Sequence, residues 1–119
     1  MADLTLETFE SQIASACDKS PLVVSLTIIA SGVTWTHQRI FLKDETFVDA
    51  FYNEATGKTS FALIKNSQRI FGADNTGEWH WHPFDSPDSH LSSSEAITIA
   101  EFLSEIEKRT PASTTTSSE

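Results

Sequence analysis

At 119 residues the chain can bury roughly two-thirds of the surface it exposes when unfolded, enough for one domain with a single core. Its 17 acidic and 8 basic side chains leave a net charge of −9, a field that repels phosphate and disfavours a surface for nonspecific nucleic-acid binding. A local basic pocket or a basic protein partner is still compatible with that charge, whereas the single cysteine, Cys17, excludes an intrachain disulfide and the Cys-rich zinc modules.

The opening residues, Met1 to Thr5, have neither the basic nor the apolar region of a signal peptide. Asp3 to Asp18 reads as a helix, with Leu6, Phe9, Ile13 and Ala16/Cys17 at helical spacing and Glu7, Glu10, Ser11 and Gln12 off that stripe. Asp3 is placed to cap it, Ser20-Pro21 ends it, and Cys17 reads as a small buried residue on its face. The longest apolar-rich run, Leu22 to Ala30, is broken by Ser25 and Thr27 and is too short to span a bilayer, so the expectation is a cytoplasmic protein with no membrane association.

Leu22 to about Trp81 is strand territory. Val23, Val24, Ile28 and Ile29 are β-branched. From Val33 to Leu42, alternation sets Val33, Trp35, His37, Arg39 and Phe41 on one face and Thr34, Thr36, Gln38, Ile40 and Leu42 on the other. Ser31-Gly32 is a candidate break between two strands. Lys43-Asp44-Glu45 makes a polar turn, and Phe47 to Tyr52 and Thr59 to Ile64 flank a loop in which Thr56-Gly57 supplies a positive-φ position. A second polar turn, Lys65 to Gln68, leads into Arg69 to Phe71. Links this short join antiparallel neighbours, because a parallel crossover needs a dozen residues or more.

Ser92-Ser93-Ser94-Glu95 fits a capping box before a C-terminal helix whose buried stripe is Ala96, Ile99, Ala100, Leu103 and Ile106, with Lys108 and Arg109 complementing the dipole. The Ser/Thr-rich run from Thr110 to Glu119 has nothing to bury and reads as a disordered tail. The whole reads as one α+β domain over residues 1–109: an antiparallel sheet of about five strands with an N-terminal and a C-terminal helix packed on one face.

The chemistry concentrates between Arg69 and His90, where three of the four histidines fall. Asp74-Asn75-Thr76-Gly77 forms a turn. After it, strand alternation puts Trp79 and Trp81 on the core face and His80 and His82 on the other, roughly 6–7 Å apart at Cα. His-x-His on a strand, with Asp85, Asp88 or His90 as third ligand, suits zinc. The same imidazoles beside Asp74 and Arg69 suit metal-independent acid–base chemistry on a phosphate. No hydroxyl or thiol stands out as a nucleophile. Histidines that merely hydrogen-bond the Pro83 to Ser94 connection are a third reading, and His37, alone on an earlier strand, reads as structural.

Arg69, Asp74-Asn75, His80, His82-Pro83 and His90, followed by a C-terminal helix, resemble the TumE-like family, the proposed toxin component of small prokaryotic toxin–antitoxin pairs. The resemblance spans roughly Val33 to Lys108. It implies a small α+β domain and a growth-inhibiting cytoplasmic protein held in check by a cognate antitoxin, with a nucleic-acid-directed activity. In that setting His80, His82 and His90 would be acid–base residues, Asp74 would orient an imidazole, Asn75 would hold the loop and Arg69 would neutralise a phosphate of RNA. The competing expectations are a non-catalytic domain that engages a basic protein, with structural histidines, and a small histidine-based zinc-binding protein.

Overall fold

The computed structural model describes residues 4–86 and 88–109. Thr5, with extended backbone, accepts the Thr8 N–H on its side-chain oxygen and caps α1 (Leu6–Lys19). Phe9, Ile13 and Ala16 form the buried stripe of α1, and Ser20, ahead of Pro21, closes it through its N–H to Ala16 O. Seven strands follow: β1 (Val23–Ser31), β2 (Trp35–Leu42), β3 (Phe47–Asn53), β4 (Thr59–Lys65), β5 (Gln68–Asp74), β6 (His80–His82) and β7 (Leu91–Ser92). They pair in chain order, each antiparallel to the next, in one sheet. The last element is α2 (Ile99–Arg109).

The turns carry the residues their geometry demands. Asn66 and Ser67 sit at φ 52° and 67°, the paired left-handed residues of a two-residue hairpin between β4 and β5. Gly57 lies at φ 79° in the β3–β4 loop, where a side chain would strain the backbone.

Both helices lie on one face of the sheet. Alternate residues Ile40 and Leu42 of β2, Val48, Ala50 and Tyr52 of β3, and Phe61 and Leu63 of β4 point to them and are buried. Phe102 of α2 packs its ring against Phe61, Phe71 and Trp81, and Phe9 of α1 stacks on Tyr52 and Phe61. Ser20 Oγ donates to Glu107 Oε2 at 2.7 Å and ties the end of α1 to α2. Trp79 and Trp81 are half-buried against this core, as alternation predicts. Cys17 is half-buried beside it, and desolvation raises its thiol above the ordinary value.

Four expectations need correction, the first being the stripe of α2: Ala96 precedes the helix, Ala96 and Ala100 are exposed, and Phe102 joins Ile99, Leu103 and Ile106 as its buried face. The sheet has seven strands where about five were expected: Gly32, whose N–H bonds Trp35 O, opens a turn that splits the first run into β1 and β2, and β7 adds a short edge beyond β6. The helix cap at Asp3 lies outside the described residues, and Thr5 is the N-cap. The capping box is also displaced. Thr98 and Glu101, not Ser92 and Glu95, exchange the two bonds: Glu101 N–H to Thr98 Oγ1 at 3.1 Å and Thr98 N–H to Glu101 Oε1 at 2.9 Å. Ser92 instead pairs with His80 in the sheet, so it is unavailable to a helix. The tail expected from Thr110 lies outside the described residues. Among the described residues no helix is long and apolar enough to cross a membrane.

Candidate metal centre

The register of β5 on β6 builds the site. Asp74 stands opposite His80 and Gly72 opposite His82, and directly opposed residues of an antiparallel pair share a face. Asp74, His80 and His82 therefore converge on the face away from the helices. β7 pairs Trp81 with Leu91, which brings His90, the next residue out, beside His82. The result is a three-ring cluster. His80 and His90 lie nearly parallel with centroids 4.6 Å apart, and His82 stands edge-on to both at 4.8 Å. Each histidine offers one ring nitrogen, and the three lie within 4.8 Å of one another. His80 and His82 are buried, and His90 is exposed.

Hydrogen bonding sets which nitrogens carry protons. His80 Nδ1 lies 2.8 Å from Glu78 O, and a carbonyl only accepts, so Nδ1 donates. In the neutral ring that leaves a lone pair on Nε2, which faces Asp74 Oδ1 at 3.2 Å. A lone pair opposed to a carboxylate is attractive only when a proton or a cation lies between them. His82 Nε2 donates to Asp74 Oδ2 at 2.9 Å, which leaves its Nδ1 as the bare nitrogen. That atom is buried and has no hydrogen-bond partner among the described residues, in a side chain only 6 % exposed.

Asp74 stays ionised below the usual carboxylate range. Burial pushes its pKa up, but the Thr76 N–H, the hydrogen bond from His82 and the charge of His80 and His82 together pull it down further. The carboxylate is thus a fixed anion that both imidazoles address.

Gly72 makes room for this arrangement. A Cβ there would lie 3.1 Å from Arg69 Cδ, 3.2 Å from the Phe61 carbonyl oxygen and 3.5 Å from His82 Cδ2, so Arg69 and His82 both close on the space the glycine leaves. Of the expected site residues, Arg69, Asp74, His80, His82 and His90 are thereby brought together. Asn75 is not among them. Its Oδ1 accepts the Thr59 N–H at 2.9 Å and its Nδ2 donates to Gly57 O at 2.8 Å, so it holds the β3–β4 loop to the end of β5. Asp85 and Asp88 fall outside the three-histidine group, and Asp85 pairs with Arg109 at 3.5 Å. His37 lies 3.2 Å from Asp49, which also takes a two-pronged contact from Arg39.

Two contributors were missed in the sequence. The Glu78 carbonyl is invisible there because backbone carries no residue identity. Gly72 did have a signal, an isolated glycine inside a strand pattern, which often marks close approach of another group. Comparisons with protein-family models, with curated proteins and with solved structures find no match for this chain.

Proposed function

We propose that this chain is a metal-binding domain that holds a zinc-like divalent ion on His80, His82 and His90. The observation that carries the reading is the buried, unpartnered Nδ1 of His82, left bare because its other nitrogen is committed to Asp74. A buried acceptor without a partner costs on the order of 1–3 kcal/mol, and a bound cation removes that cost. Metal-ligating histidines characteristically donate their second ring nitrogen to a carboxylate or a backbone carbonyl. His82 does the first through Asp74 and His80 the second through Glu78 O.

Imidazole nitrogens select borderline ions such as zinc over magnesium or calcium, which prefer oxygen. Three imidazoles on a tetrahedral zinc at about 2.0–2.1 Å sit roughly 3.3 Å apart, so the 4.8 Å cluster has to tighten. The exposed His90 is the ring with freedom to swing inward. Three protein ligands leave a fourth position for water, the arrangement of catalytic rather than closed structural zinc sites, unless Asp74 Oδ1 fills it.

A second reading rests on a different observation, Arg69 and His82 both closing on Gly72 while Asp74 addresses both buried histidines. This is the acid–base arrangement expected of a toxin-like protein acting on RNA under the control of an antitoxin, and it needs no metal.

One experiment separates the two. Protein purified without chelator should contain zinc near one equivalent per chain by elemental analysis. Zinc at about one hundred times its Kd should stabilise the stripped protein by about 2.7 kcal/mol, roughly a 10 °C rise in Tm. His82→Ala should lose both effects. A stripped protein whose Tm zinc leaves unmoved would rule out the metal reading and leave the acid–base one standing.

A further inference from the structure

β1 is an edge of the sheet, paired with β2 on one side and with no described strand on the other. Every residue of β1 after Val23 is exposed, Val24 at 63 % and Ile28 at 58 %. The reason lies in the packing. The core gathers over β2 to β6, so Leu26 and Ile28, which face the helix side, overhang it.

Open edges are usually guarded by charged side chains, lysine above all, by proline or by β-bulges. β1 carries no charge and no proline, and its register irregularities against β2 fall towards its two ends. Residues 20–38 contain no Asp, Glu, Lys or Arg, so all 17 acidic and 8 basic side chains lie elsewhere. Register shifts between Val23 and Ser25 and between Ile28 and Ala30 bracket one regular stretch, residues 25–28, at the middle of the strand.

We propose that β1 pairs with β1 of a second copy of this chain, antiparallel about a twofold axis, joining two seven-stranded sheets into one. Three features single out this occupant. Two chains of net charge −9 repel wherever their charges meet, and the uncharged segment is where they approach without that penalty. An antiparallel strand is self-complementary across a twofold, so the contact closes at two copies. The opposite edge, β7, has two residues, which is too little backbone to accept β1 in an open-ended chain.

The test is solution mass by light scattering, coupled to hydrogen exchange of the β1 amides. The wild-type protein should run at twice the 13.2 kDa of one chain, and dilution through dissociation should expose the outward β1 amides by about tenfold or more. Ile28→Lys should run at the single mass with unchanged circular dichroism. Val24→Lys serves the same purpose should the first variant not fold. A single-mass wild type with fast-exchanging β1 amides would overturn the proposal and leave the edge to another protein's strand. A single-mass wild type with protected β1 amides would overturn it in favour of another segment of the same chain. Species larger than two copies would also overturn it.

Discussion

Asp74 joins β5, the turn that follows and both buried imidazoles. Its Oδ1 accepts the Thr76 N–H at 3.0 Å and its Oδ2 accepts the hydrogen bond from His82 Nε2, while the opposed register puts His80 against it. Asp74→Asn would keep the size and one acceptor but lose the charge that fixes the His82 tautomer. Under the metal reading, zinc affinity should fall between about tenfold and hundredfold, the usual cost of losing an outer-shell partner. Competition with a chromophoric chelator measures it, and an unchanged affinity would show that Asp74 does not orient the ligands. At this scale the sequence was informative about His80 and His82, because parity along a strand places them on one face. The participation of Asp74 depends on β5–β6 register, and that of His90 on a two-residue strand with no periodicity to read.

Helix α2 shows how an element's start is decided. Ser92-x-x-Glu95 and Thr98-x-x-Glu101 both satisfy the capping pattern, and both precede apolar residues. Pairing of Ser92 with His80 removes the first, so the helix begins after Thr98 and the stretch between becomes a connection in which Ser93 Oγ bonds Glu95. Thr98→Ala should therefore cost about 1 kcal/mol, a loss of roughly 4 °C in Tm, while Ser92→Ala should leave Tm nearly unchanged. Thermal unfolding followed by circular dichroism distinguishes them, and the reverse ranking would put the cap back at Ser92. β2, β3 and β4 were legible from their alternation, whereas the two-residue β7 offered none. The number of strands was not legible, since Gly32 reads equally as a bulge in one long strand or as the turn between two.

At the scale of the molecule, one aromatic organises the core. Phe102 is fully buried, and its ring meets three others from β4, β5 and β6. Phe102→Ala should destabilise by about 3–5 kcal/mol, a large share of the roughly 5–15 kcal/mol a domain of this kind has in hand. The measurement is the urea midpoint, which should fall sharply with little change in slope. A loss below about 1 kcal/mol would mean that the neighbouring rings collapse into the gap or that this layer contributes little. The same layer explains the placement of the histidines. With both helices over one face, the three-ring cluster lies on the other, where no described helix covers it.

The amino-acid sequence by itself determined the order of elements and several faces: helix, antiparallel strands, helix, with Trp79 and Trp81 towards the helices and His80 and His82 on the opposite face. Those features follow from periods of 3.6 and 2 and from links too short for crossovers, which are local properties. Only the tertiary structure decided what meets what. Register set Asp74 between His80 and His82, drew Asn75 away to the β3–β4 loop, and left Asp85 beside Arg109. It also set which strand stands at the edge of the sheet among the described residues. The physical reason is that hydrogen-bond register and packing join residues far apart in the chain, and no local pattern encodes a contact across two strands.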